Sequence, residues 1–268
     1  MLRNFCPNYF HSHRVYDSKF PIMKLRILRR EEQVDGQFNG GAVLEKRPIV
    51  YQREKTFPYS NLFYWAHAWS EKGSTIGLHP HQGFEIMSFV LKGSIEHYDT
   101  KNKNWIPLNA GSVQIIRSGN GISHAEKINP GGSIFQIWFD PNLDKSLRKP
   151  ATYDDYNKEA FPEEKKNGMT IRTFKGESAP VKMDAEGIAI REVRLQKGKH
   201  ELEIPSQKIL SVFLIEGSVQ VENEQLSAED FFTVQDGDVI RLNAEEDSWL
   251  FIIESPAEPS YATYASAM

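Results

Sequence analysis

The feature that most constrains this chain is an internal repeat. Phe89-Val90-Leu91-Lys92-Gly93-Ser94-Ile95 returns 124 residues later as Phe213-Leu214-Ile215-Glu216-Gly217-Ser218-Val219. Each copy is an apolar run, a Gly-Ser turn and a second β-prone run. Each is followed by a turn-marked stretch, Leu108-Asn109-Ala110-Gly111 in one case and Leu226-Ser227-Ala228-Glu229 in the other. A unit used twice in the same order implies two similar β-structures in tandem. Short β-branched and aromatic runs at 86–91, 113–116, 133–139, 188–195, 209–215, 231–234 and 250–253 are separated by Gly, Asn, Asp and Pro. That spacing predicts an all-β chain of sandwiches or barrels, and helical periodicity is scarce.

At 268 residues the chain has room for two domains. The reading places an N-terminal domain at 23–141, a connector at 142–185 and a C-terminal domain at 186–268. Met23 opens a strand-like stretch, so residues 1–22 are read as a disordered extension; the pair His11 and His13 in it is a solvated coincidence. Net charge is −4, with Lys and Arg interspersed among Asp and Glu, which gives no basic stripe for nucleic acid. The single cysteine, Cys6, cannot form an intrachain disulfide. No run approaches the roughly 20 apolar residues of a membrane span, and the N-terminus lacks a signal-peptide core. These features lead to the expectation of a cytoplasmic protein that contacts neither membrane nor nucleic acid.

The chemistry concentrates in the first half. In a β-strand, residues two apart share a face, so His79-Pro80-His81 presents two imidazoles together. His124-Ala125-Glu126 adds an imidazole and a carboxylate in the same way. Three neutral imidazoles and a carboxylate, without a thiolate, suit one divalent transition metal: Fe(II), Mn(II), Ni(II), Cu(II) or Zn(II). Glu85 has the same parity, with 79, 81, 83 and 85 all facing one way, so Glu85 and Glu126 both stand open as the fourth ligand. His97 has inward parity and is read as structural, with a supporting role toward a ligand as the alternative. His67, behind Phe63-Tyr64-Trp65, reads as a core histidine, and His200 as a loop residue.

These motifs resemble a known family. Gly73, His79, His81 and Glu85 match the spacing of the first cupin motif. The stretches His79-Pro80-His81-Gln82-Gly83-Phe84-Glu85 and Gly119-Asn120-Gly121-Ile122-Ser123-His124-Ala125-Glu126, with Phe135-Gln136-Ile137-Trp138-Phe139, Pro150 and Tyr153 beyond, are similar to pirins. The resemblance covers residues 23–255 and is strong only at 75–140. It implies a bicupin monomer of two tandem cupin barrels, of the double-stranded β-helix or jelly-roll type. It implies one metal, usually iron, in the N-terminal barrel, and Glu126 as the fourth ligand. Gln82 stands where many pirins carry arginine, which removes a positive charge beside the site. At the repeat offset, His79, His81 and Glu85 map to Glu203, Pro205 and Ile209, and the stretch 238–242 has no histidine. The second barrel is therefore expected to be metal-free and structural.

Two functions follow from the resemblance. One is a quercetin 2,3-dioxygenase-like oxidoreductase acting on a small aromatic flavonol with dioxygen. There Glu126 or Glu85 accepts the hydroxyl proton, and Phe84, Phe89 and Trp138 are candidates for an aromatic wall. The other is a redox- or metal-sensing regulator that binds a protein partner.

Overall fold

The computed structural model describes residues 23–51 and 56–267; the extension at 1–22, with Cys6, His11 and His13, lies outside the described residues. The fold is two tandem β-barrels, each made from a seven-stranded antiparallel sheet closed by a four-stranded one. In the first barrel the large sheet runs Thr152–Tyr156, Val113–Arg117, Glu85–Lys92, Gly132–Phe139, Leu62–Ser70, Val43–Ile49, Val34–Phe38. Its small sheet runs Ser74–His81, Ile122–Ile128, Ser94–Asp99, Trp105–Asn109. The second barrel repeats the plan, with Lys208–Glu216 between Phe231–Gln235 and Ser248–Pro256. Every short run marked in the sequence falls in a strand, save that Ile188 precedes the strand Ala189–Leu195. Among the described residues, no helix is long and apolar enough to cross a membrane.

The repeat marks the point where the chain leaves the large sheet for the small one. Gly93 sits between Glu85–Lys92 and Ser94–Asp99, and Gly217 between Lys208–Glu216 and Ser218–Val221. Both adopt left-handed φ, +66° and +94°. A Cβ on Gly217 would lie 2.3 Å from the Ser248 hydroxyl oxygen, so glycine is needed for both backbone angle and clearance.

The large sheets pack face to face, and their contact is the largest core of the molecule. Alternation along each strand divides the side chains. On Glu85–Lys92, Met87 and Phe89 point to the neighbouring barrel, while Ser88 and Val90 point into their own. Trp65 lies at the centre of the layer, 5.4 Å from Phe135 and 5.5 Å from both Phe231 and Phe251, edge to face.

Sheet membership does not follow the division of the sequence. Lys24–Leu28 precedes the first barrel but pairs with Phe231–Gln235 in the second. Arg29 secures that crossing with ion pairs to Glu224 at 2.8 Å and Asp230 at 3.1 Å. The stretch read as a connector holds the short helix Leu143–Ser146 and three strands: Thr152–Tyr156 extends the first barrel, Glu163–Lys166 and Met169–Lys175 the second. After Ser248–Pro256 the chain returns to the first barrel, where the Tyr261 hydroxyl donates to the Asp140 carbonyl at 2.9 Å and the Tyr264 N–H donates to the Asp140 carboxylate.

Two stability predictions follow. Phe135→Ala empties the centre of the layer and should cost about 3–5 kcal/mol, read as a lower urea midpoint. Burial pushes the Asp140 carboxyl from 3.8 up to about 6, against the pull of the Tyr264 N–H. A carboxyl raised on folding contributes stability that is fully present below its unfolded value and is lost as pH rises through its folded one. The wild type should therefore lose stability relative to Asp140→Asn as pH rises from 4 to 7, measured as the difference between their urea midpoints.

Candidate metal centre

The small sheet of the first barrel carries the site. Its strands Ser74–His81 and Ile122–Ile128 are neighbours, with His79 directly opposite His124. The ladder then slips: Glu126 pairs with Ile76, so two residues of one strand span three of the other. The extra residue makes a bulge at Gly77 and Leu78, which leaves both exposed and returns His79 and His81 to the inward face shared by Ile76. Bulges re-aim side chains in this way. The Gly77 carbonyl accepts from His79 Nδ1 at 2.8 Å, which orients the ring.

The three imidazoles converge through Nε2. His124 Nε2 is 3.0 Å from Nε2 of His81 and 3.0 Å from Nε2 of His79. Among the described residues this is the one group of metal-capable side chains that gathers. A neutral imidazole has one ring proton. His79 commits its proton to Gly77, so its Nε2 faces the centre as a bare lone pair, and His124 can donate to only one of its two neighbours. Hydrogen bonding alone therefore cannot satisfy the cluster. Burial, reinforced by the neighbouring imidazoles, lowers His81 and His124 to about 3, which keeps both neutral and able to ligate. Metal–nitrogen bonds of ~2.1 Å at right angles would place nitrogens ~3.0 Å apart, the separation seen here. The three nitrogens, within 4.8 Å of one another, fit a single divalent cation.

Glu126 faces the same interior, 1% exposed, one step below His124 on its strand. The Ser88 hydroxyl donates to one carboxylate oxygen at 2.7 Å and the Gln136 amide donates to the other; each oxygen keeps a further lone pair. Glu126 lies outside the converging trio of nitrogens. Deeper still, His97 Nε2 donates to Asp99 at 3.2 Å, and the other Asp99 oxygen accepts the N–H groups of Lys101 and Asn102. Glu45 pairs with Arg47 and accepts from Tyr64 at 3.4 Å. Gln82 reaches across the mouth, donating to the Asn120 carbonyl at 3.3 Å.

Glu85 requires a correction. It does not share a face with His79 and His81, because their strand ends at His81 and Gly83 turns the chain with φ +84°. The next strand starts afresh at Glu85, pointing away from the barrel interior. Its carboxylate accepts the backbone N–H groups of Asp184 at 2.7 Å and Ala185 at 2.8 Å. Burial pushes its carboxyl up, and those amides and Arg117 draw it back. Glu85 fastens the approach to the second barrel and is no part of the metal centre. Phe89 likewise belongs to the layer between the barrels.

The aromatic candidates Phe84 and Trp138 do flank the site. Trp138 meets His81 edge to face, ring centres 4.8 Å apart, and Phe84 is 5.8 Å from Trp138. Two partners escaped the sequence reading. Phe63 is the extra residue where Trp138 pairs with Tyr64 but Phe139 with Leu62, and it lies 4.7 Å from Phe84. Tyr264 stacks on Phe84. Ser88 and Gln136 were also missed, although Gln136, alternating with Phe135 and Ile137, is inward by strand parity alone. His67 packs between the barrels against Phe135 and Phe213. His200 lies in the strand Gly198–Glu203, not a loop, with Nε2 donating to the Gln196 carbonyl at 2.7 Å. The second barrel interior is apolar, filled by Leu202, Ile204, Leu210, Val212, Val219, Phe232, Ile240 and Leu242.

Comparison with known proteins agrees with this fold. The pirin family model matches residues 43–139. A quercetin 2,3-dioxygenase of Escherichia coli is 26% identical over 192 residues, 69% of this chain and 78% of that protein. Among solved structures, a quercetin 2,3-dioxygenase from Acinetobacter baumannii superimposes with TM-score 0.74 at 17% identity, covering 88% of this chain and 79% of its own. The bacterial pirin YhhW from Escherichia coli, in complex with nickel(II), does so with TM-score 0.71 at 21% identity, covering 87% and 99%.

The histidine and Glu85 assignments separate cleanly by experiment. His124→Ala should reduce bound metal from about one per chain to near zero, by elemental analysis after dialysis. Glu85→Ala should retain the metal while losing about 1–3 kcal/mol of stability, the cost of leaving the buried Ala185 amide without its acceptor.

Proposed function

The chain belongs to the pirin family of cupin proteins, and from that premise we propose that it is an iron-dependent dioxygenase acting on a flavonol such as quercetin. The observation that carries this reading is the convergence of three Nε2 atoms at the half-open end of a barrel, beside a run of aromatic rings. His79, His81, His124 and Glu126 would hold the metal. Three neutral nitrogens and a carboxylate without thiolate suit Fe(II), with Ni, Mn, Cu and Zn as alternatives; the nickel complex of YhhW supports a divalent ion on this scaffold. Bound there, the ion supplies Lewis acidity that acidifies a flavonol hydroxyl.

The protein side of the chemistry rests on three features. Glu126 is the buried carboxylate nearest the trio in strand order and is the group available to accept the hydroxyl proton. Ser88 and Gln136 hold it in place. Trp138 and Phe84 offer an apolar face for a planar ring system, where stacking fixes its orientation. The relatives named quercetin 2,3-dioxygenase support the substrate class.

A metal-gated protein interaction is the competing reading. It is favoured by one observation: Leu78, next to His79 on the edge strand of the small sheet, is 57% exposed. The deciding experiment is elemental analysis combined with a quercetin absorbance assay, first anaerobic and then in air. About one iron per chain with oxygen-dependent loss of the flavonol band, abolished in His124→Ala, is the expected result. Metal without turnover would overturn the dioxygenase reading in favour of the interaction.

A further inference from the structure

We propose that Tyr264 is a specificity-determining residue for the substrate of the first barrel, brought to its mouth by the segment that follows the last strand of the second barrel. The inference rests on the flavonol reading above and extends it to a residue far from the metal motifs in sequence.

The path of the segment is fixed at every step. The Ala257 N–H donates to the Gln207 carbonyl at 2.8 Å, still on the second barrel. The Ser260 hydroxyl and N–H both donate to the Glu186 carboxylate. The Tyr261 hydroxyl donates to the Asp140 carbonyl, and the Tyr264 N–H to the Asp140 carboxylate. Thr263 and Ser266 close a small loop, Thr263 N–H to the Ser266 hydroxyl at 2.8 Å and Ser266 N–H to the Thr263 carbonyl at 3.1 Å. Asp140 directly follows the strand Gly132–Phe139 that carries Trp138. The segment is thus fastened to the same strand that lines the metal centre.

This fastening places the Tyr264 ring at the end of a continuous aromatic face. Tyr264 stacks on Phe84, centres 5.3 Å apart and planes 21° apart, and leans on Phe63 at 5.5 Å. Phe63 lies parallel to Trp138 within 23°, and Trp138 abuts His81. The face differs from the aromatic layer between the barrels. Trp65 and Phe135 there are fully buried, whereas Phe63, Phe84 and Trp138 are partly exposed and Tyr264 is 45% exposed. A contiguous, partly exposed aromatic surface beside convergent polar groups has the character of a ligand face. Ring centres follow one another from His81 to Trp138 at 4.8 Å, on to Phe84 at 5.8 Å and on to Tyr264 at 5.3 Å, a succession that suits an extended, multi-ring planar molecule gripped at one end by the metal centre. A single-ring molecule would occupy the metal end alone and never reach Tyr264.

The test compares Tyr264→Ala and Tyr264→Trp with wild type, all loaded with metal. Affinity for quercetin is read anaerobically from quenching of tryptophan fluorescence, and kcat and KM are read in air. Catechol serves as the single-ring probe. Tyr264→Ala should weaken quercetin binding and raise KM roughly tenfold, the order expected for losing one stacked ring. It should leave kcat, metal content and catechol affinity near wild type, and Tyr264→Trp should restore quercetin affinity. Wild-type affinity in Tyr264→Ala, or equal losses for quercetin and catechol, would overturn the assignment while the dioxygenase reading stands. Failure of the wild type itself to bind or turn over quercetin would overturn both.

Discussion

The molecule depends on the face-to-face packing of two seven-stranded sheets. Each strand of such a sheet has two faces, and once one is committed to the neighbouring barrel the other must line its own. Met87 and Phe89 commit Glu85–Lys92, and Phe135, Ile137 and Phe139 commit Gly132–Phe139. Ser88, Gln136 and Trp138 are turned inward as a consequence. The groups that steady Glu126 and flank His81 are therefore positioned by hydrophobic contacts made on the opposite side of the sheet, with a second barrel nearby in space but remote in sequence.

The two interiors show how one barrel plan is put to different uses. The second is filled with apolar side chains, each worth about 1.5–3 kcal/mol on burial. The first buries Glu45, Ser88, His97, Asp99, Gln114, His124 and Glu126. Polar groups removed from water cost free energy unless they are hydrogen-bonded; here Ser88, Gln136, Asp155 and the amides after Asp99 supply part of those bonds, while Gln114 Oε1, His97 Nδ1 and His124 Nδ1 have no partner among the described residues. An interior of that kind adds little net stability, and it is joined to one that adds much. The exchange of strands strengthens the join: Lys24–Leu28 belongs to the second barrel although the chain then builds the first.

Much of this was legible in the sequence because it follows from alternation and repetition. The duplicated Gly-Ser turns located the two barrels, and the spacing of His79, His81 and His124 located the convergence of nitrogens. The reading failed where the backbone departs from a uniform strand. It carried the parity of His81 through Gly83 to Glu85, but a left-handed residue at Gly83 breaks that parity. It could not register the bulge at Gly77 and Leu78 that aims His79 inward, nor the one that frees Phe63. A bulge has no residue signature as distinct as a histidine pair; it is settled by pairing partners distant in sequence. The same holds for Lys24–Leu28 and Tyr264, whose positions depend on contacts with residues about 200 and 180 positions away.

Charge gives the first barrel a further property. Its interior gathers the carboxylates of Glu45, Asp99 and Glu126 around imidazoles that burial keeps neutral. Glu45 shows the strain: burial raises its carboxyl, Arg47 opposes the rise, and Glu126 adds to it. Electrostatic interactions between such groups are strengthened by the lower effective dielectric of the interior. A divalent cation at the histidines would draw on every carboxylate in the network and meet an interior deficient in positive charge. Since the unfolded chain offers no preformed set of ligands, the free energy of binding would add directly to folding stability. The residues that make this barrel costly to fold are thus the same ones that would make a bound ion stabilise it, so affinity for a cation is a property of the barrel's whole interior and not of three side chains at its mouth.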